Sequence, residues 1–234
     1  RRQRQMCIRD SINTSNYMVS KLLAKNTGQC HSMPLLFLIL AEELETEAFW
    51  CFSPSHSFIK FQDKQNRWYN IELTQGAVVT DDFYMNSGFI KSKAIQTGIY
   101  LNPRTMKQTI AHMLNDLSAY YISRYGYDHF IEENSNLVLR YSPSDLTAYQ
   151  HYANICTVQA QYVIDACGRP PKEQLPEYPQ AHRLFKKMLQ SHEKIDSLGY
   201  EEMPAEIYHN WLKQVDKAKT LPENQPSPII QIKK

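Results

Sequence analysis

Cys30, His56 and Glu72 are a thiol, an imidazole and a carboxylate, met along the chain in the order that cysteine-nucleophile chemistry uses. In such a site the thiolate attacks a carbonyl carbon. The imidazole takes the thiol proton and later passes it to the leaving amine, and the carboxylate fixes the imidazole tautomer and stabilises its cation. The oxyanion that forms needs donors; the backbone N–H of Cys30 is one candidate and the Gln29 side chain a second. Asn70, two residues before Glu72, is a further orienting candidate. Taken singly, Cys30 reads as a buried structural thiol, His56 as a histidine in a hairpin turn and Glu72 as the solvent face of a strand. Their order, on elements able to bring them together, favours the site.

Those elements are legible in the pattern of residues 28–74. Met33, Leu35, Leu36, Phe37, Leu38, Ile39, Leu40, Ala41 and Leu44 make residues 31–44 apolar nearly all round, which predicts a buried helix. Pro34 falls in its first turn, where a missing N–H is tolerated. Cys30 then stands at the positive end of the helix dipole, which favours a thiolate, and Gly28 is expected to permit a sharp entry. Residues 47–52, 57–61 and 67–73, rich in aromatic and β-branched types, predict three strands. In the third, Trp68, Asn70 and Glu72 share one face. A loop over 62–66 pairs Phe61 with Arg67 and sets His56 directly opposite Glu72, with Cβ atoms roughly 4.5–5.5 Å apart.

Gly-x-Cys opening a buried helix, a histidine at a strand start and Trp-x-x-x-acid-x-Thr on the next strand resemble the transglutaminase-like core, a minimal papain-like fold. The resemblance covers about residues 11–103. It implies thiol-mediated acyl transfer on a peptide or similar amide through a Cys30 thioester, with Cys30, His56 and Glu72 as the triad. Two departures stand out: the acid is Glu72 where the family usually has Asp, and the Cys-to-His gap is short. The chain looks closest to bacterial members in which a short core precedes tetratricopeptide-like helices.

Arg1 to Ser11 resembles translated sequencing-adapter sequence of the kind found at the ends of metagenomic fragments, and is set aside from fold reasoning. Without it the chain carries 22 basic against 23 acidic residues, a net of −1 in place of +2, so composition offers no case for nucleic acid. On that reading the natural start lies upstream of Ile12 and the sequence assigns no compartment. No apolar run reaches the ~20 residues of a membrane span. The five cysteines form no C-x-x-C pair and the histidines no H-E-x-x-H motif, so neither a metal nor a cofactor is expected. A disulfide between Cys156 and Cys167 has no support from spacing.

A helix is expected over residues 12–25, packed on the Cys30 helix. Residues 76–103 read as a mixed connector: a Thr80-capped helix over 81–86, a helical turn within 89–96, and a short strand at Ile99-Tyr100-Leu101. A connector of this length often covers a site, with Tyr84 or Phe89 as candidates to touch substrate and satellite core packing as their plainer role. From Arg104 the pattern turns helical: 104–125, 129–141, 146–166, 180–198 and 204–219, with an extended Pro-rich linker over 170–179 and a loosely held tail over 221–234. Leu114, Leu117, Ser118 and Tyr121 match the spacing of Tyr149, Tyr152, Ala153 and Cys156 at an offset near the tetratricopeptide period. The chain has fifteen tyrosines. They read first as helix–helix packing and, more sharply, as a groove for a protein or peptide partner.

The expectation is an α+β protein. A transglutaminase-like core over 12–103, with its Cys-bearing helix on a small antiparallel sheet, precedes an all-helical, tetratricopeptide-like region over 104–220. The expected activity is cysteine hydrolase or acyltransferase; the alternative is an inactive protein-interaction module of the same architecture.

Overall fold

The structure is a computed structural model that describes residues 14–86, 89–204, 206–207 and 209–210. Its architecture is α+β, with a small antiparallel sheet and a majority of helix. No helix among the described residues is long and apolar enough to cross a membrane.

The aromatic-rich segments form β1 (Phe49–Ser53), β2 (His56–Gln62) and β3 (Trp68–Glu72), and β4 (Ala77–Val79) adds a short edge. The four strands pair antiparallel in chain order. Pro54 and Ser55 connect β1 to β2 as a two-residue turn, with Ser55 at φ 56°. The alternation of β1 and β2 splits the core. Trp50 and Ile59, directly paired, face Leu35 and Leu38 of the Cys30-proximal helix. Cys51 and Phe58, also paired, face the other way into a cluster with Tyr84, Ala94, Ile99 and Leu101.

The β2–β3 register differs from the one expected. Phe61 pairs with Tyr69 and Gln62 with Trp68, so Arg67 lies in the loop and not in the ladder. The reason is local. Asp63 Oδ1 accepts from the backbone N–H groups of Gln65 and Arg67 (2.8 and 3.0 Å), and its Oδ2 accepts from Arg67 Nε at 2.8 Å. A carboxylate that caps its own loop offers the backbone an alternative to the strand ladder. The shift is two residues, so His56 and Glu72 keep the same face of the sheet but become diagonal neighbours.

The helix expected over 12–25 is a 3-10 turn (Thr14–Tyr17) followed by α1 (Val19–Lys25), which ends at Asn26 with φ 51°; Ile12 lies outside the described residues. α2 (Ser32–Glu43) carries the apolar run. It is buried at Ser32, Pro34, Leu35, Leu38 and Ala41 but not all round, because Ile39 and Leu40 are 48% and 53% exposed. Gly28 does not supply an unusual backbone angle. A Cβ there would lie 2.5 Å from Met33 Cγ and 2.8 Å from Leu22 Cδ1, so glycine is needed for the close approach of α1 to α2.

The connector holds α3 (Asp81–Met85) and α4 (Ser92–Gln96). Thr80 occupies the N-cap of α3 without a side-chain cap bond. No strand forms at Ile99–Leu101, because Leu101 has φ 60°. The segment still covers the edge of β1: Leu101 N–H donates to Phe52 O (2.9 Å) and Arg104 N–H to Trp50 O (3.1 Å).

Four helices follow as expected: α5 (Met106–Tyr125), α6 (His129–Tyr141), α7 (Leu146–Ala166) and α8 (Pro179–Ser197), each packed on the next. Thr105 and Gln108 close a capping box on α5, and Asp128 and Asp145 cap α6 and α7. Ser118 and Ala153, which the sequence spacing sets in correspondence, are both buried. The linker before α8 is a 3-10 helix, Lys172–Glu177, and not extended. Cys156 and Cys167 are free thiols. Of the helix expected over 204–219, residues 206, 207, 209 and 210 are described and helical. Pro204 is described and not helical; the rest of that span, the tail over 221–234 and the adapter-like residues 1–11 lie outside the described residues.

Candidate active site

Cys30 precedes α2 in the turn that ends at the N-cap, His31. A relay of two hydrogen bonds holds that turn to the sheet: Trp50 Nε1 donates to Ser57 Oγ at 2.9 Å, and Ser57 Oγ donates to the backbone carbonyl of Cys30. All three residues are buried. The α2 entry is thus fixed against β1 and β2 at the point where β2 begins with His56.

His56 is 5% exposed and Glu72 fully buried. His56 Nε2 donates to Glu72 Oε2 at 2.6 Å, and the Cys30 thiol is the ring's other electrostatic partner. Glu72 is held from both ends. Its Oε1 accepts from Thr74 N–H (3.0 Å) and Thr74 Oγ1 (2.5 Å), and its Oε2 also accepts from Tyr84 Oη at 3.0 Å. The extra methylene of glutamate spans the diagonal separation that the observed register imposes; diagonal strand neighbours are roughly 7–8 Å apart at Cα, within reach of long side chains.

Charge follows geometry. Burial opposes ionisation of the Cys30 thiol, but the hydrogen bond and charge of His56, with the charge of His31 beside them, outweigh it and hold the thiol below its ordinary pKa. Burial likewise opposes the His56 cation; the Glu72 carboxylate and the Cys30 sulfur overcome it and raise the imidazole to about 10. Glu72, despite its burial, is kept ionised by His56, Thr74 and Tyr84. Burial and the neighbouring carboxylate push the Tyr84 phenol up, so it stays a donor. The arrangement is a buried thiol–imidazole–carboxylate line in which each group favours the charged form of the next.

The line opens on a cleft of about 600 Å³. Cys30, 9% exposed, lies at its floor with Gln29, His31 and His56. Ile99 and Tyr100 of the connector wall it, as expected of that segment, and the opposite side is helical-region surface: Leu146, Thr147, Gln150 and Tyr200. Gln29 is buried, and its Nε2 has no hydrogen-bond partner among the described residues. That leaves an amide donor uncommitted on a residue of the cleft floor, the one before Cys30.

Asn70 does not join the site. Its Nδ2 donates to Asp81 Oδ1 (2.9 Å), opposite Lys60, whose ammonium donates to Asp81 Oδ2 (2.9 Å) and Leu101 O (3.0 Å). Asn70 and Asp81 therefore tie the connector to the sheet. Tyr84 and Phe89 do not line the cleft either; Tyr84 acts behind Glu72, stacked at 3.9 Å on Phe58.

The sequence reading missed a second polar cluster against the same cleft. His31 Nδ1 and Asp116 Oδ1 lie 2.9 Å apart, and Tyr17 stacks on the His31 ring at 4.7 Å. His112 Nδ1 donates to Asp145 Oδ2 at 2.7 Å. Where no metal ligands were expected, candidate ligand atoms of His31, His112 and Asp116 all lie within 4.8 Å of one another. His112 and Asp116 are one helical turn apart, a spacing visible in sequence, but nothing in the sequence ties them to His31. Trp50, Ser57 and Thr74 also went unsingled; only the Trp-x-x-x-acid-x-Thr pattern hinted at the last.

No family model matches the chain, and no curated protein and no solved structure matches it significantly.

Proposed function

We propose that the chain is a cysteine-nucleophile enzyme of transglutaminase-like type, cleaving or transferring the acyl group of a peptide or peptide-like amide. The observation that carries this reading is His56 bonded to a fully buried, triply anchored Glu72 and electrostatically paired with Cys30, a residue at the floor of a cleft. Structural ion pairs also bury histidine against carboxylate, but they do not need a thiol on the ring's second side at a cleft floor.

The Cys30 thiolate adds to the amide carbonyl carbon, forming the C–S bond and an oxyanion. Gln29 Nε2 and the Cys30 backbone N–H are the candidate donors to that oxygen. The C–N bond breaks as His56 passes its proton to the leaving amine, giving a thioester and free amine. Water then enters. His56 takes one of its protons as the oxygen bonds to the acyl carbon, and the C–S bond breaks to regenerate the thiolate–imidazolium pair and release the acid. An amine in place of water gives transfer. Glu72 remains ionised throughout and orients the ring. Hydrolysis is the favoured outcome, because water is always at hand.

The test is the pH dependence of Cys30 alkylation by iodoacetamide in the presence of EDTA, with Cys7, Cys51, Cys156 and Cys167 replaced. We expect a labelling midpoint well below the free-thiol value of about 8.5, lost in His56→Ala. A normal midpoint indifferent to His56, or a Cys30 that does not label in a folded protein, overturns the reading and leaves the interaction module.

A further inference from the structure

We propose that His31, His112 and Asp116 form a site for a divalent transition-metal ion of the zinc class, on the inner wall of the cleft beside Cys30. This inference does not rest on the thiol chemistry; it stands on the geometry of a cluster that the proposed reaction leaves unused.

The three donors converge from two elements. His31 is the N-cap of α2, and His112 and Asp116 are one turn apart on the same face of α5. Their candidate ligand atoms lie within 4.8 Å of one another. A four-coordinate ion with bonds of about 2.0–2.2 Å needs its donors about 3.3 Å apart. The cluster must therefore close by about 1.5 Å at its widest, a side-chain movement.

The hydrogen bonding of the cluster is half complete, and the incomplete half has the chemistry of a ligand set. His112 is 1% exposed and its Nδ1–H is committed to Asp145. That carboxylate is itself held by Arg104 Nη1 (2.9 Å), Asn115 Nδ2 (3.0 Å) and Ala148 N–H (3.1 Å). The tautomer thus places the lone pair on Nε2, which is buried without a partner among the described residues. Asp116, 5% exposed, bonds His31 through Oδ1 and leaves Oδ2 buried and equally without a partner. A lone pair on imidazole and a carboxylate oxygen, both desolvated, are costly to leave unmatched. The His31–Asp116 bond explains one oxygen and neither of these two atoms. An ion, taking the place of the proton between His31 and Asp116, satisfies both.

The surroundings match the outer shell of metal sites, where a carboxylate orients a ligating histidine through its second nitrogen. Asp145 does this for His112. Two imidazoles and one carboxylate suit zinc, cobalt, nickel or iron over the harder magnesium or calcium. Three protein donors leave a four-coordinate ion one open position, and His31 and His112 both line the cleft.

The experiment uses the full chain, stripped with EDTA and exchanged into chelator-free buffer, and titrates it with Co²⁺, read by visible d–d absorption and by displacement with Zn²⁺. We expect one saturable site whose bands persist in Cys30→Ser. Binding should be lost in His112→Gln, and weakened about 10–100-fold in Asp145→Asn, which removes only the outer carboxylate. Because His112 and Asp145 are buried, circular dichroism accompanies each titration. His31→Gln, at the cleft wall and the least enclosed of the three, abolishes binding in a chain that stays folded. The proposal is overturned if folded parent protein shows no saturable Co²⁺ absorption, as when a water bridges the two buried atoms. It is equally overturned if the bands survive His31→Gln but vanish in Cys30→Ser, which would place the ion on Cys30 and His56. The alkylation assay is run in EDTA and the metal assay holds in Cys30→Ser, so the two readings fail separately.

Discussion

Glu72 reaches His56 across a diagonal, and that makes the residue type decisive. Aspartate at the same position is shorter by one methylene, so Glu72→Asp should leave His56 Nε2 without its acceptor while keeping the charge. We expect Cys30 alkylation near neutral pH to slow by about 10²-fold, the scale of a misplacement near 1 Å, with circular dichroism unchanged. Tyr84→Phe removes one donor from a buried carboxylate that keeps its others, and should destabilise the protein by about 1–3 kcal/mol in chemical denaturation. The same groups set a pH profile. His56 is raised from 6.5 to about 10 in the folded state, so its contribution to stability is fully present below pH 6.5 and is lost as pH rises through about 10. Glu72 is lowered from 4.5, so its contribution is present above that value and is lost as pH falls through the folded one. The melting temperature should be highest between about pH 4.5 and 6.5, decline as pH rises from 6.5 towards about 10 and fall again in acid, and His56→Gln should flatten the alkaline limb. A parent curve with no alkaline decline before pH 10 contradicts this pairing.

At the scale of elements, the site depends on how α2 is pinned to its neighbours. Trp50→Phe keeps the ring against Leu35 and Ile59 but removes the donor to Ser57, the residue that holds the Cys30 carbonyl. A loss of about 1–3 kcal/mol follows from the broken buried bond, and a faster-exchanging amide at the α2 entry is the accompanying signature in hydrogen exchange. Gly28→Ala drives a methyl into Met33 and Leu22 side chains and should cost about 1–3 kcal/mol, measured by denaturant titration. This is the scale at which sequence was most and least informative. The apolar run of α2, the strand-forming aromatics and the four helices from Met106 to Ser197 were legible because periodicity and capping residues act locally. The β2–β3 register was not, because Asp63 captures Arg67 and moves the five-residue loop one position along the chain, from 62–66 to 63–67. The three-residue β4 was too short to stand out from the connector. The face shared by His56 and Glu72 survived the error because strand alternation tolerates any even shift. Tyr84, Ser57 and the His31–Asp116 pair were illegible for a different reason: each meets its partner through tertiary packing, which no spacing encodes.

For the molecule as a whole, the change of pattern near Arg104 marks a change of secondary structure and not a gap in the core. Ile195, Leu198, Leu146 and Ala153 from the helical region pack in one cluster with Cys51, Phe58, Tyr84 and Tyr100. Arg104 joins the two regions through polar contacts: its backbone pairs with Trp50, its guanidinium lies 4.5 Å from the Phe52 ring, and Nη1 donates to Ser142 Oγ (2.8 Å) and Asp145 Oδ2 (2.9 Å). These contacts hold Leu146, Thr147 and Gln150 as the far wall of the cleft. A fragment of residues 1–103 would expose the apolar face that α7 and α8 cover and would leave the site one-sided. We expect that fragment to lack the near-ultraviolet aromatic signal and cooperative thermal transition of the full chain. In the full chain, Arg104→Met, which removes the guanidinium paired with the buried Asp145 carboxylate, should destabilise by about 3–5 kcal/mol in a single transition that carries both regions down together. A fragment that melts cooperatively with the aromatic signal intact, or an Arg104→Met chain that unfolds in two separated steps, would mean that the thiol site belongs to a self-sufficient core and that the helices only adjoin it.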